Sequence, residues 1–344
     1  MNQPTEFISN SQQYQQTANL EARLDKILSY LKTEHGLRID SQLSSSDYYG
    51  TGKVGAVHFI ADHQGRTCVL KIQGAKPNKS EADIINHFQN QNKSQLIRPP
   101  VIHFTTGWQP SLHFEAIIME YIQGEPVLIP GELHSVEEVA SFFEVYQEYR
   151  RRCVNRPWLS QPKRDAAAVI ADKYQRLQQA ASDVKPDSPY RSSQDQTIIN
   201  QALAALNQFY RDVPLEFQHG HFSVHDLLKI NENEIVLLSN LFWKWANPYY
   251  DAVFAYHWFI YSLASTADIS AVQVKTQRKI WLDQIYQLAV DRHQERLITA
   301  ALLERAVAGL LIDAFAYIDQ EAPLAEYMAV STRRQVLELT DQLS

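Results

Sequence analysis

The chain has 344 residues, which is long enough to bury a substantial core in one two-lobed unit or in two closely packed domains. Hydrophobic residues make up 45% of it and charged residues 21%, a balance that is ordinary for a globular protein. The net charge is −7 and no basic stretch stands out, so the composition argues against a nucleic acid as the partner.

Three further features bear on the cellular compartment. The two cysteines, Cys68 and Cys153, form no CxxC pair, which argues against a disulfide framework and fits a reducing compartment. The polar, Gln-rich start of the sequence lacks the pattern of a signal peptide. The most apolar run, 252–264, is too short to span a bilayer and fits a buried helix. We therefore expect a cytoplasmic protein without a membrane partner.

The N-terminal third combines one helical pattern with several β-type segments. Residues 1–17 predict a flexible tail, and 20–36 has the apolar spacing and the final glycine of an amphipathic helix. The segments that follow are a β-hairpin at 48–74, a helix with a Ser N-cap at 80–90, and strands at 101–107 and 114–122.

Helical patterns dominate the rest of the chain, and one β-like patch at 213–241 interrupts them. The predicted helices lie at 135–153, 164–181 and 195–212, with several more from 249 to the end. The sequence therefore predicts an α+β fold. Its predicted parts are a flexible tail at 1–17, a β-rich N-terminal lobe at 18–123 and a helical C-terminal lobe at 124–344.

The first candidate site is a glycine-rich stretch with GxGxxG spacing, whose glycines are Gly50, Gly52 and Gly55. Glycines let the backbone approach phosphate groups closely and adopt positive φ. A strand pattern follows the stretch, which favours a loop that covers nucleotide phosphates over a dinucleotide-binding turn. An ordinary glycine-rich hairpin turn is the alternative interpretation.

A second candidate is Lys71, which lies on the next predicted strand. That position would let its ammonium reach nucleotide phosphates under the glycine loop, with Glu81 as the acidic partner that holds it. Alternatively, Lys71 faces solvent on an edge strand, and Glu81 stabilises the dipole of its helix. The strand 117–122 then leads into a connector, where the backbone near Glu120 and Ile122 is the candidate adenine site.

The sequence HGHFSVHDLL (219–228) supplies the third candidate. It combines a His-Gly turn with two polar positions, His221 and Asp226, and a strand pattern follows. A hairpin, an aromatic loop and a helix that opens near Asp251 complete the segment.

In this order, the motifs resemble the aminoglycoside phosphotransferase and choline kinase family, whose members are relatives of protein kinases. The resemblance covers roughly residues 40–260. It implies a bilobal protein-kinase-like fold, ATP bound between the lobes, and transfer of the γ-phosphoryl group to a small-molecule hydroxyl. Mg²⁺ is the metal cofactor that this chemistry implies.

The chain departs from the family at three positions. An alignment without gaps from His219 to Asp251 places the family's catalytic Asp at His221, its metal-binding Asn at Asp226 and its second metal-binding Asp at Ser239. The resemblance gives His219 and Asp251 structural roles, and both match the family. His221 could still accept a proton, and Asp226 could still bind Mg²⁺, but Ser239 lacks the charge of the family's carboxylate.

We therefore expect a catalytically impaired pseudo-phosphotransferase that binds ATP, with doubtful metal binding and an unknown small-molecule or protein ligand. The rival is an active small-molecule kinase that uses His221 as base and Asp226 as metal ligand. Transfer of a nucleotidyl group from ATP in a reversed orientation is a third interpretation.

Two smaller features allow alternative interpretations. His219, His221 and His225 form an HxHxxxH pattern that could bind a transition metal together with Asp226, although a His219 that braces the loop would prevent convergence. Trp243 and Trp245 predict either an aromatic wall for a ligand or packing of their loop.

Overall fold

The computed structural model describes residues 20–47, 54–77, 79–154, 157–184, 188–311 and 322–344. These residues form two compact units. The first comprises the described residues up to Asn90 together with Pro99–Gln123, and the second comprises Gln91–Arg98 together with the described residues from Gly124 onward.

Strands predominate in the first part of the chain and helices in the later part, as the sequence patterns predict. The strands are β1 (Arg38–Asp47), β2 (Val54–His63), β3 (Arg66–Gln73), β4 (Ile97–Arg98), β5 (Ile102–Gln109), β6 (Phe114–Glu120), β7 (Glu125–Pro126), β8 (Glu216–Gln218), β9 (Leu227–Asn231), β10 (Glu234–Leu237) and β11 (Lys244–Ala246). The helices are α1 (Glu21–His35), α2 (Glu81–Gln91), α3 (Val136–Arg152), α4 (Ala166–Val184), α5 (Asp195–Phe209), α6 (Tyr250–Ala264), α7 (Ala271–Tyr286), α8 (Arg292–Ala308) and α9 (Ala325–Leu343).

The first unit is built on an antiparallel sheet with the strand order β1-β2-β3-β6-β5. Because side chains alternate along a strand, the sheet presents two faces to different helices. Leu70 and Ile72 of β3 belong to a core cluster that includes Leu31 of α1. Val69, on the other face of β3, packs in a cluster with Ala82 of α2. Lys71 alternates with Leu70 and Ile72 and therefore points to the α2 face.

The second unit carries two small sheets among its helices. One has the order β4-β10-β9-β7, and the other pairs β8 with β11. The strands β9 and β10 form the hairpin predicted after the HGHFSVHDLL segment. Both sheets border that segment, since β8 ends at Gln218 and β9 begins at Leu227. The mixed α+β fold, with an antiparallel sheet first and helices after it, is confirmed.

Three local features differ from the sequence patterns. The polar segment Arg38–Asp47 forms strand β1, although its composition carries little strand signal. Strand β10 ends at Leu237, and Ser239 adopts a left-handed conformation. The supposed aromatic loop contains strand β11. The predicted tail at 1–17 lies outside the described residues. None of the helices in the described ranges is both long and apolar enough to cross a membrane.

Trp281 on α7 packs against both α3 and α6. It is fully buried, and its ring lies 5.2 Å from that of Phe142 on α3 and stacks at 4.7 Å on Phe259 of α6. Replacing Trp281 by Ala is expected to lower the free energy of unfolding by about 3–5 kcal/mol, because it leaves a cavity between these helices. Val272→Ala, at a position on the same helix that is 74% exposed, should change it by less than about 0.5 kcal/mol. Urea denaturation measures both, and equal losses would contradict this packing.

Candidate functional site

The His-Gly turn is held by a buried carboxylate at the start of α6. Asp251 Oδ2 accepts hydrogen bonds from the His219 amide at 2.9 Å and from the Tyr149 hydroxyl at 2.7 Å, and Oδ1 accepts one from the Gly220 amide at 2.8 Å. Burial raises the pKa of Asp251 above its ordinary value, and these donors oppose that rise. Asp251 therefore fixes the backbone of the loop, which is the structural role implied by the resemblance.

Gly220 is needed for the shape of the turn. Its φ is +77°, and an added Cβ would lie 2.4 Å from the Phe242 carbonyl oxygen and 2.7 Å from Lys244 Cε. The first contact is with backbone, which has little freedom to move aside. The turn therefore requires glycine for both its conformation and its space.

His219 and Trp243 form part of the core beneath the loop. The His219 ring is fully buried and lies edge-on to the Trp243 ring at 5.1 Å, and burial lowers the pKa of His219 to about 3. Trp243 stacks on Phe217 at 5.4 Å, while half-buried Trp245 donates from Nε1 to the Leu159 carbonyl at 3.0 Å. Buried Trp243 is therefore a packing residue, which contradicts the aromatic-wall interpretation for this side chain.

His221 and Asp226 are bonded to each other. His221 Nδ1 lies 3.0 Å from Asp226 Oδ2, and the Ser223 hydroxyl donates to the same oxygen. The His221 ring stacks on Phe242 at 4.5 Å and contacts Phe254 at 4.9 Å. Asp226 is only 3% exposed, whereas the His221 side chain is about one-third exposed. The pair thus consists of a buried carboxylate and a more accessible imidazole that the carboxylate orients.

The carboxylate of Asp226 is anionic despite its burial. Burial alone raises its pKa, but adjacent His221 and the Ser223 hydroxyl outweigh that effect and bring the pKa below its ordinary value. The backbone also fixes the residue, because its amide donates to the Ser223 carbonyl at 3.1 Å and its carbonyl accepts from the Leu238 amide at 2.8 Å. Asp226 is therefore a rigid acceptor whose Oδ2 already has two hydrogen-bond partners from this chain.

Ser239 and Asn240 do not supply a second carboxylate. Ser239 has a φ of +56° and begins a 3₁₀ turn in which its carbonyl accepts from the Phe242 amide at 3.3 Å. Asn240 is fully buried, donates to the Leu237 carbonyl at 2.8 Å and accepts from Trp243 Nε1 at 3.1 Å. Both ends of the Asn240 amide are therefore engaged in holding the turn, so this residue does not substitute for the family's carboxylate.

The three histidines of the HxHxxxH pattern have different surroundings. His225 Nε2 pairs with the Ser262 hydroxyl at 2.9 Å, while His219 lies in the core and His221 is bonded to Asp226. Within the part of the chain that the structure describes, no group of three or more His, Cys, Asp or Glu side chains is arranged to hold a metal ion. The transition-metal interpretation therefore finds no ligand set here.

In the first unit, Lys71 and Glu81 form an ion pair. Lys71 Nζ lies 2.5 Å from Glu81 Oε2, and the side chains are 14% and 4% exposed. His58 of β2 lies opposite Lys71 in the register of the sheet. Burial lowers the pKa of His58 to about 3, with the charge of Lys71 adding to the effect, and its Nδ1 pairs with the Ser44 hydroxyl at 3.2 Å. A neutral imidazole therefore lies beside the lysine.

The remaining nucleotide-site candidates are partly described. Gly50 and Gly52 lie outside the described residues, while Gly55 accepts from the Gly74 amide at 2.8 Å. Glu120, the last residue of β6, accepts from the Val101 amide at 2.7 Å through its side chain. Ile122 follows in a half-buried position outside regular secondary structure.

Sequence reasoning missed three residues that shape the sites. Ser223 precedes Asp226 by three residues, a spacing that suits a hydrogen-bonded turn and could have been noticed. His58 lies opposite Lys71 in the sheet, and the alternation of side chains along the predicted strands only weakly indicated that the two would be neighbours. Lys244 lies between the two tryptophans, and its surroundings depend on contacts that are distant in sequence.

Comparisons with known proteins identify the fold. No protein-family model matches the chain. No curated protein matches it either. Among solved structures, it is similar to the aminoglycoside phosphotransferase APH(4)-Ia, with 14% identity and a TM-score of 0.56 over 92% of this chain and 99% of that one. It is also similar to choline kinase from Cryptosporidium parvum Iowa II, with 12% identity and a TM-score of 0.56 over 93% and 97%.

A ternary complex of a thermostable mutant of APH(4)-Ia with ADP and hygromycin B matches as well, with 14% identity and a TM-score of 0.56 over 89% of this chain and 97% of that one. At such identities the likeness concerns the fold. The chain therefore has the protein-kinase-like fold of aminoglycoside phosphotransferases and choline kinase, which confirms the fold implied by its motifs.

Gly220→Ala is expected to destabilise the protein more than Gly65→Ala. Gly65, in the turn between β2 and β3, also has a positive φ of +80° but has nothing within 4 Å of an added Cβ. Both variants carry the cost of the left-handed conformation, about 1–2 kcal/mol, and Gly220→Ala adds roughly 1–3 kcal/mol of steric strain against Phe242. Urea denaturation of the two variants measures the difference, and identical midpoints would contradict the close packing of the turn.

Proposed function

We propose that this chain is an aminoglycoside phosphotransferase-like protein that binds ATP and has lost efficient phosphoryl transfer. The observation that carries the proposal is the double engagement of Asp226 Oδ2 by His221 and Ser223. In the alignment with the family, Asp226 occupies a metal-ligand position. Here its carboxylate orients a histidine.

Support for nucleotide binding comes from Lys71. In kinase-like folds, a lysine on the third strand contacts the α- and β-phosphates, and a glutamate on the following helix holds it in place. The Lys71–Glu81 ion pair has this arrangement, and both side chains are largely shielded from solvent. A preformed pair lowers the entropic cost of fixing the ammonium when a nucleotide binds.

Support for impaired transfer comes from the ligands that Mg²⁺ would need. Mg²⁺ demands nearly octahedral oxygen coordination and is usually bound through carboxylates and phosphate oxygens. Asp226 is nearly inaccessible and its Oδ2 already accepts hydrogen bonds from His221 and Ser223, while Ser239 contributes no charge. This donor set does not fit the metal. If each of two impaired roles costs about 10²–10⁴ in rate, the barrier rises by roughly 5–11 kcal/mol.

The proposed protein therefore acts by binding. With ATP held and transfer suppressed, the consequence of nucleotide binding is a change in affinity for a second ligand, either a small molecule or a protein. That role requires coupling between two binding events and no chemical turnover.

The same hydrogen bond favours a second candidate, an active small-molecule kinase. A carboxylate that accepts from Nδ1 of a histidine fixes the tautomer of the ring and leaves Nε2 able to accept a proton. In this alternative, His221 is the base for the acceptor hydroxyl. Asp226 then acts as the residue that orients His221, which differs from the metal-ligand role predicted from the sequence.

Lys71→Met is expected to abolish ATP-induced thermal stabilisation. Saturating ATP should raise the Tm of the unmodified protein by a few degrees, since a ligand at about 100 times its Kd stabilises by roughly 2.7 kcal/mol. The variant loses the ammonium that contacts phosphate. Lys279→Met removes a largely exposed lysine of α7 and should keep the shift. If ATP raises the Tm of no form, with or without Mg²⁺, the nucleotide-binding proposal is wrong.

The triple variant His221→Asp, Asp226→Asn and Ser239→Asp restores the family's residues and should gain phosphoryl transfer. The assay follows γ-labelled ATP with pooled aminoglycosides, choline, sugars and homoserine as acceptors. The unmodified protein is expected to transfer no label above background, because it lacks the metal-binding charge.

Transfer by the unmodified protein that is lost in His221→Ala would establish the kinase alternative instead. His225→Ala is the matched control, since His225 is an exposed histidine of the same loop.

A further inference from the structure

Lys244 is a lysine with no carboxylate partner among the residues that the structure describes. Within the described residues, its ammonium makes no ion pair or hydrogen bond, and it lies over the Tyr250 ring at 4.0 Å from the centroid. The side chain is half-buried, and burial lowers the pKa of Lys244 to about 8, while more distant Asp251 and Glu304 act in the opposite direction. Lysines that are withdrawn from water normally have a partner, so this position is unusual.

A second lysine approaches the same aromatic ring. Lys173 Nζ on α4 lies 5.1 Å from the Tyr250 centroid, so the two ammoniums are no farther apart than the sum of their distances to that ring. Glu304 on α8 neutralises Lys173 through a contact of 2.5 Å. Glu304 is 1% exposed, and therefore its carboxylate is fixed in this ion pair. No carboxylate among the described residues pairs with Lys244 in the same way.

Contacts between aromatic rings connect the two lysines to the candidate site. Phe254 stacks on Tyr250 at 5.8 Å and contacts the His221 ring at 4.9 Å, and the Arg305 guanidinium lies over Phe254 at 5.6 Å. Lys244 itself borders the tight turn, because its side chain passes the place where a Cβ on Gly220 would be. A chain of ring contacts thus runs from His221 through Phe254 to Tyr250. Both of these aromatic residues are largely buried, and Arg305 and Lys244 lie over their rings.

We call these residues the Lys244 cluster (Lys173, Lys244, Tyr250, Phe254, Glu304 and Arg305). Glu304 neutralises Lys173, whereas the charge of Lys244 has no carboxylate partner among the described residues. The one other nearby carboxylate considered above, Asp251, already accepts three hydrogen bonds in holding the loop. A cationic ligand would be repelled at this place, whereas an anion would supply the missing partner of Lys244.

We propose that the Lys244 cluster binds the phosphate or carboxylate group of a small anionic molecule, which is the second ligand of this protein. The inference deepens the proposed function, since it names the chemical class of the ligand that binds beside His221. The ammonium of Lys244 donates to the anionic oxygens.

The test uses inorganic phosphate as the probe, with acetate as the carboxylate arm and choline chloride as the cationic control, all at equal ionic strength. We expect phosphate or acetate to raise the Tm of the unmodified protein, and choline to have no effect. Lys244→Met keeps the aliphatic stem and should weaken anion binding about tenfold to a hundredfold, as loss of a charge-assisted hydrogen bond does. Lys244→Arg and Lys279→Met should retain binding.

Anion stabilisation that is equal in the unmodified protein and in Lys244→Met would overturn the inference, as would stabilisation by choline alone or by none of the probes. A response to phosphate assigns the site to phosphate groups, and a response to acetate alone assigns it to carboxylates. Lys71→Met should keep this anion response while losing the ATP response. Lys244→Met should therefore lose only the response to anions, and Lys71→Met only the response to ATP, so the two proposals are tested separately.

A measurement on the unmodified protein remains decisive if Lys244→Met does not fold. Sulfate keeps its charge between pH 7 and pH 9, whereas Lys244 loses its proton in this range. The groups that face Lys244 are Asp251, Glu304, Arg305, Lys173 and Tyr250. Sulfate binding measured by calorimetry should weaken by up to about tenfold between pH 7 and pH 9, and unchanged affinity would contradict the role of Lys244.

Discussion

The hydrogen bond between His221 Nδ1 and Asp226 Oδ2 determines what the loop can do. Because Asp226 is nearly inaccessible and also accepts from Ser223, a metal ion would have to displace a partner from this chain to use that oxygen. The same bond keeps Asp226 anionic in a buried position, where an unpaired carboxylate would tend to take up a proton. The positions of the histidine and the carboxylate therefore depend on each other.

Around this altered pair, the scaffold of the loop is complete. Asp251 holds the amides of His219 and Gly220, and Tyr149 joins the same network. All of these contacts are made between groups of the chain itself. A fold of this kind constrains the position of the site, whereas the side chains in it decide the reaction or the ligand.

The parts that could be predicted from the sequence were those governed by periodicity and by motif order. Helices α3, α5 and α6 follow the spacing of apolar residues. The loop from His219 to Asp226 was identified by the order and spacing of its polar and glycine residues. Strand β1 was missed because its residues are polar, and pairing with β2 stabilises it more than its own composition does. The left-handed Ser239 and the contact of Lys244 with Tyr250 depend on packing between segments, which a local pattern does not encode.

The protonation of the His221 ring tests the central claim most directly. Nitrogen chemical shifts of ¹⁵N-histidine-labelled protein, assigned with a His221 variant, report whether Nδ1 carries the proton that Asp226 accepts. The account predicts a protonated Nδ1 whose shift changes in Asp226→Asn and stays constant when Mg²⁺ is added with ATP. A shift that moves to the Asp226→Asn value on addition of Mg²⁺ would contradict it, because the carboxylate would then have exchanged His221 for the metal.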